Sequence, residues 1–449
     1  MITKKISILF LAFIILSNCS FDTKTGIWGD SAKEKKRIAD LENKQKEIIK
    51  VQKIYSSDFF FSKEVSLSKS ISLSKPENNS SWVMPNLNYQ NFLGNLYLSG
   101  IDNTFLKKKI GKDKFELFQS ITPILIVESN IIFSDDNGTI FKINDNGRII
   151  WKKNIYKKSY KKIYKNLVFS MYEGNIYISD NIGFVYSIDL NNGHLNWIKN
   201  YEVPIKSNIK VFEDKIFLIN QDNKILCLDS RDGSLIWNIF SISSFIKSKN
   251  LLSVAITRDG ELLAITSSAD VYKIKLKTGE IIWSRNTADS LYADATDFFV
   301  SSEIVIDNDK IFFSSGSNMF SLDTDTGKTN WIQEVNSAST PIISGENIFI
   351  VSNHGYFVIL DKNTGEIISS SNILKILKRK KQKTKVNSFI MGSDKIYSMT
   401  LNGFLITSSA TSGKPENFKK IGGSNISNLT INNGKLYFLT DKSKVLILN

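Results

Sequence analysis

One phrase constrains this chain more than any other: Leu228-Asp229-Ser230-Arg231-Asp232-Gly233-Ser234-Leu235-Ile236-Trp237. It is an apolar strand end followed by an acid, a tight turn closed by glycine, and a second strand carrying tryptophan. The phrase recurs with Gly147 and Trp151, Gly193 and Trp197, Gly279 and Trp283, and Gly327 and Trp331. It returns without the tryptophan at Gly365, four residues before Ser369, and more weakly at Gly413. The turn glycines lie 46, 40, 46, 48, 38 and 48 residues apart. A period of roughly 40–50 residues with about four short strands per unit predicts a β-propeller.

Each part of the phrase has a physical role. Glycine supplies the positive φ that closes a hairpin without a Cβ clash. An Asp or Asn just before it can bond its own backbone and hold the turn. Tryptophan, four residues after the glycine in five copies, is flat and large enough to fill the gap between neighbouring wedge-shaped sheets. Trp151, Trp197, Trp237, Trp283 and Trp331 are therefore expected to dock one blade on the next. The spacing Asp-x-x-x-Gly-x-x-x-Trp resembles the quinoprotein-type (PQQ-like) repeat, and the resemblance covers roughly residues 121–449. A WD40 reading fits worse, because no unit carries a Gly-His…Trp-Asp pair.

The N-terminus has a different grammar. Lys4 and Lys5 precede an apolar run of eleven residues, 6–16, too short to span a bilayer. Leu16-Ser17-Asn18-Cys19 then resembles a bacterial lipobox, with Asn18 where a small residue is usual. The resemblance implies a signal peptide over 1–18 and acylation of Cys19; the alternative is an ordinary secretory signal cleaved nearby. Ser20, rather than Asp, then implies sorting to the outer membrane. Two cysteines make no disulfide scaffold, and Cys227 sits in a strand pattern as a small buried hydrophobe. Two scattered histidines, His194 and His354, assemble no metal set.

Residues 19–80 read as a tether. Within it, 31–55 reads as a helix, N-capped by Ser31 with Glu34 at capping-box spacing, and 56–80 reads as linker. Residues 81–449 read as the propeller. Its C-terminal unit has three strands and lacks the fourth. An isolated strand at 104–110 is expected to supply it, closing the ring between the two chain ends and making eight blades in an all-β fold. Two inserts break the rhythm. Residues 152–165 carry seven lysines interleaved with Tyr156, Tyr160 and Tyr164, and 373–385 is a second basic run. Basic residues among aromatics can grip phosphates. Export argues against nucleic acid and towards anionic lipid or lipopolysaccharide; solvated lysine-rich loops are the plainer alternative.

A lipoprotein leader, a tether and an eight-bladed PQQ-like propeller resemble the BamB family of outer-membrane protein assembly factors of Gram-negative bacteria. Trp82…Leu98 is similar to the lead-in of alphaproteobacterial members. Thr340-Pro341-Ile342-Ile343-Ser344-Gly345 and Ser352-Asn353-His354-Gly355 sit where the family has its Thr-Pro-x-x-x-Gly and Asn-rich turns. The resemblance implies a non-enzymatic scaffold with no cofactor, lipid-anchored at the periplasmic face of the outer membrane. It would bind BamA of the β-barrel assembly complex and assist unfolded outer-membrane precursors. On the family's pattern Asp294 matches the first acidic contact. The second falls on Thr296, with Asp297 one residue off. Ile246 and Lys247 take the apolar and basic roles of the other contact loop, although Lys cannot make the bidentate contact of Arg. Two other readings stay open. One is a propeller binding peptidoglycan, lipopolysaccharide or another envelope partner. The other is a PQQ- and Ca²⁺-dependent dehydrogenase, which predicts an adjacent Cys-Cys pair that this chain lacks.

Overall fold

The computed structural model describes residues 36–44, 46, 61–115, 124–241, 247–288, 299–422, 426–440 and 442–449. Within them the chain forms eight four-stranded antiparallel sheets, the blades of a propeller. Seven are built from consecutive strands, within 125–153, 167–200, 210–240, 254–286, 305–333, 342–372 and 386–420. The eighth joins the ends of the chain: Thr104–Lys109 lies beside Lys444–Leu448, followed by Lys435–Leu439 and Thr430–Asn432. The pairing runs from Thr104 opposite Leu448 to Lys109 opposite Lys444.

Burial follows position within a blade. The three-residue innermost strands are buried, throughout in Leu125–Val127 and Val254–Ile256 and all but the last residue in Lys210–Phe212 and Val305–Asp307. Some outermost strands, such as Ile149–Lys153 and Ile281–Asn286, keep most residues in solvent, whereas that of blade six, Ile367–Asn372, exposes none. Each of the seven consecutive blades has a register shift in its outer hairpin. In the third blade Cys227 faces Trp237 while Leu228 faces Leu235, so Ile236 is the extra residue.

The turn glycines and tryptophans meet across blade boundaries. Trp197 Nε1 donates to Ser230 O at 2.8 Å, and a Cβ on Gly233 would stand 2.5 Å from the Trp197 ring. Gly233 therefore meets two demands, a φ of +72° and an indole lying on its Cα. The same indole-to-carbonyl bond links Trp151 to Leu190, Trp237 to Leu276, Trp283 to Thr324 and Trp331 to Lys362. Five junctions, from blades one–two to five–six, are closed in this way.

Because the strands alternate in direction, the two faces of the disc differ. One carries the turns between strands one and two and between strands three and four. The other, the loop face, carries the remaining turns and every connection between blades. Residues 61–99 act as a strap: 61–68 run along the outer strand of blade six from its loop-face end, where Glu64 pairs with Lys375, and the rest crosses the first face. Val65 pairs with Ser370 on the outer strand of blade six, and Lys69 pairs with Asp361. Ser74 N donates to Ser344 Oγ at 3.0 Å. Trp82 pairs with Ile126 of blade one, and Met171 N of blade two donates to Val83 O. Ile256 N and Ile306 N, in blades four and five, donate to Tyr89 O and Gln90 O. Leu96 pairs with Gly392 of blade seven and Leu98 with Gly434 of blade eight. Gly345 (φ +60°) shows how close the strap comes: a Cβ there would lie 2.6 Å from Ser72 O.

The linker expected over 56–80 is thus a strap wherever it is described, from 61 onwards. Its bonds come from backbone and from Ser and Asn side chains rather than from a regular strand, so no period-two pattern announces it. Of the helix expected over 31–55, residues 36–44 and 46 are described and are helical. Ile38 and Leu41 are buried in a cluster with residues of blades one and two, and Arg37 donates to Ile182 O and to Glu202 O on the loop face. No helix among the described residues is long and apolar enough to cross a membrane.

Candidate functional site

The residues expected to meet a partner belong to two neighbouring connections on the loop face, between blades three and four and between blades four and five. The described ends of these connections are joined. Ser248 pairs in parallel with Phe299; Lys249 N donates to Phe299 O at 2.9 Å, and Phe299 N donates to Lys247 O at 3.1 Å. A further parallel pairing, Ser207 with Leu252, ties in the connection between blades two and three. Lys247 is half-exposed. Its ammonium donates to Gln221 O and to Asp222 Oδ1, both at 3.2 Å. So Lys247 braces its own loop against the adjacent turn of blade three. Ile246, Asp294 and Asp297 lie outside the described residues, as does Cys19.

Beneath the strap sits a polar cluster that no sequence signal announced. Lys210, fully buried at the start of its inner strand, donates from Nζ to Pro85 O at 2.8 Å and to Asn88 O at 2.6 Å. Asn91 Nδ2 donates to Ile304 O at 2.9 Å and to Val254 O at 3.2 Å. Asn208 Nδ2 donates to Glu303 Oε1 across the space between blades three and five. Burial lowers the Lys210 ammonium and raises the Glu303 carboxyl, each partly opposed by the charge of the other. The cluster fastens the strap across the mouth of the ring. An unpatterned lysine in an otherwise apolar strand start is the only trace it leaves in the sequence.

The remaining candidates have structural surroundings. Trp151, Trp197, Trp237, Trp283 and Trp331 sit at the junctions already described. Cys227 is buried and its thiol is pushed up to about 12 by that burial, so it carries almost no thiolate at neutral pH. Among the described residues no three His, Cys, Asp or Glu side chains gather where they could hold a metal. The tyrosines of the first basic insert turn inward. Tyr160 is buried with its ring edge-on to Phe184 at 5.6 Å, and Tyr156 donates its hydroxyl to Asp180. Stacking platforms for bases, which this insert suggested, are therefore not on its surface.

Comparison with known proteins adds the following. Residues 119–371 match the family model described as Outer membrane protein assembly factor BamB. An uncharacterized protein of Rickettsia prowazekii is 24% identical over 328 residues, covering 69% of this chain and 77% of that protein. BamB of Shewanella oneidensis is 23% identical over 240 residues, 46% of this chain. The match spans 56% of that relative, little more than half its length. Among solved structures, BamB from Moraxella catarrhalis superposes with a TM-score of 0.64 at 14% identity, over 77% of this chain and 98% of that one. A europium-containing methanol dehydrogenase superposes with a TM-score of 0.63 at 12% identity, over 80% and 89%. At these identities the two structures share the fold alone with this chain.

Proposed function

The chain belongs to the BamB family of outer membrane protein assembly factors, and from that premise we propose that it is a non-enzymatic scaffold which binds BamA and assists insertion of outer-membrane β-barrel proteins. The observation that carries the reading is the pairing of the two connections at Ser248 and Phe299. A partner loop meeting one of them meets the other. The rigid ring holds both at a fixed separation, which lowers the ordering cost of binding. Asp294 and Asp297 supply the acidic contacts and Ile246 the apolar one, with Lys247 holding its loop in place. Acylation of Cys19 anchors the scaffold at the periplasmic face of the outer membrane.

The test is co-purification of BamA with the tagged chain from detergent-solubilised outer membrane, comparing wild type with Asp294→Ala and Lys247→Ala. Wild type recovers BamA, and Asp294→Ala lowers recovery by roughly tenfold or more, as loss of a hot-spot side chain does. Recovery by all three would keep the role and move the contact elsewhere on the ring. No recovery with wild type would overturn it in favour of a propeller binding another envelope component. The fold is shared with quinoprotein dehydrogenases, but the donor set for their cofactor does not fit. There is no adjacent Cys-Cys pair in the chain, and the strap with Lys210 occupies the channel mouth.

A further inference from the structure

Both basic inserts leave the same face of the disc. Residues 154–166 connect blades one and two, 373–385 connect blades six and seven, and both connections lie on the loop face. In the first, Lys157, Lys158, Lys161 and Lys162 are exposed and make no ion pair among the described residues, while the tyrosines between them face the core. In the second, Ile373, Leu374 and Leu377 are buried beneath two short 3₁₀ turns. This leaves Lys378, Arg379 and Lys383 in solvent, again without an ion pair among the described residues. Neither insert contains a carboxylate. The second insert also shapes a pocket of about 550 Å³, walled by His354, Asn372, Gln382, Lys375, Lys383 and Lys385, with no acid in its lining. Lys375 at its edge is held by Glu64 at 2.6 Å.

The opposite face has another character. Its turns are rich in carboxylates: Asp229 and Asp232, Asp323 and Asp325, and Asp361 with Glu346. The lysines and arginine of the two inserts, by contrast, have no carboxylate within their own segments to balance them.

We propose that the loop face docks on an anionic phospholipid bilayer, with the inserts 154–166 and 373–385 as two separate feet and the basic pocket receiving one phosphate headgroup. The chemistry selects this occupant over single-stranded nucleic acid. Base binding needs exposed aromatic platforms, and here Tyr156 and Tyr160 are turned inward. Two cation clusters set apart on one side of a flat disc match a charged plane, to which each added Lys or Arg contributes. Arg37 keeps the helix at 36–44 on this same face, so that helix and the feet lie on the same side. The proposal goes beyond the assembly role and does not rest on it. The feet lie between blades one and two and between six and seven, away from the connections at Ser248 and Phe299.

The experiment is vesicle co-sedimentation of the mature chain, residues 20–449, so that neither the apolar leader nor an acyl anchor contributes. Mixed phosphatidylglycerol–phosphatidylcholine vesicles are compared with phosphatidylcholine alone. Binding to the anionic vesicles is expected, weakening steeply between about 0.05 and 0.5 M salt. Two variants, Lys157→Gln/Lys158→Gln/Lys161→Gln/Lys162→Gln and Lys378→Gln/Arg379→Gln/Lys383→Gln, each weaken it by roughly tenfold or more. The control Lys277→Gln/Lys328→Gln/Lys414→Gln, on the opposite face, leaves it unchanged. Equal binding to neutral vesicles, or equal damage from the control, overturns the proposal. So does displacement by soluble glycerol phosphate, which would assign the pocket to a free phosphate, or binding of a single-stranded oligonucleotide without vesicles. The result is independent of whether BamA co-purifies.

Discussion

From blade one round to blade six, every junction is closed by an indole lying on a glycine and hydrogen-bonded to the next blade's turn. From blade six back to blade one, none is. At the six–seven junction Ser371 Oγ donates to Gly413 O, and Ser369 stands where the ring would be. At seven–eight, Lys419 Nζ reaches Ile101 O at 2.6 Å and Asp102 O at 2.8 Å. At eight–one, Leu106 and Lys108 cover Gly147. The strap is densest along this second arc. Val65, Lys69, Ser72 and Ser74 lie on blade six, and Asn95, Leu96 and Leu98 on blade seven. Asn79 and Ser99 lie on blade eight. One continuous apolar cluster runs through blades six, seven, eight and one and takes in Trp82, Leu93, Leu96 and Leu98 of the strap. Along one arc the repeat closes its own junctions with indoles; along the other no indole does so, and sequence from outside the repeat is packed most densely there.

The sharpest way to break this contrast is Trp197→Ala, which removes the most buried of the five docking indoles and orphans Ser230 O. A loss of about 3–5 kcal/mol is expected, read by denaturant unfolding. A loss below about 1 kcal/mol would mean that indoles do not hold the first arc. Gly365→Ala and Gly413→Ala sharpen it. Both glycines have positive φ, +76° and +71°, so both variants share the backbone strain. Only the first drives a methyl into a ring, with Trp331 2.6 Å away, while the second meets the Ser369 hydroxyl. Gly365→Ala should be the worse by about 1–3 kcal/mol; equal losses would erase the distinction between the arcs.

The smallest effect belongs to the strap's outer end. Burial raises the Asp361 carboxyl, but Lys69 and the backbone N–H groups of Thr364 and Asn363 outweigh it and hold it at about 2. The folded chain therefore binds this proton less readily than the unfolded chain. The contact stabilises above the ordinary value of 3.8 and its contribution is lost as pH falls towards 2. Lys69 is about half exposed, so Lys69→Ala should cost no more than about 1 kcal/mol at neutral pH. The variant should also lose less stability than wild type on acidification below pH 4; an unchanged acid limb in thermal melts would show that Lys69 does not set the Asp361 carboxyl.

The two arcs also explain what could be read without coordinates. The eight-bladed propeller was legible because a turn Gly marks seven repeats, five of them with a Trp four residues on, at positions with strict backbone and volume demands. The strap was not, because Asn79, Asn91 and Asn95 hold it through single side-chain bonds that follow no period. Lys210 and Glu303 stayed hidden for a related reason: pattern reading places charges outside, and these are buried by the strap that covers them. The inward turn of Tyr156 and Tyr160 depends on Phe184 and Asp180 of the next blade, which neighbouring residues in the sequence do not foretell. Of the partner-contact residues, Lys247 alone can be placed, and its bond to Asp222 was invisible from a loop with no repeat.

The pairing of Thr104 with Leu448 brings together residues at opposite ends of the propeller chain. A chain synthesised from its N-terminus displays Thr104–Lys109 long before Lys444–Leu448 exists. The ring therefore has a closing stitch, which cannot be made until Lys444–Leu448 is available. Until then the molecule is an open crescent with a bare strand edge at each tip. Its folding time should be governed by that one long-range closure rather than by the individual sheets. Removing Lys444–Leu448 would leave Thr104–Lys109 without its partner and bare one side of Lys435–Leu439.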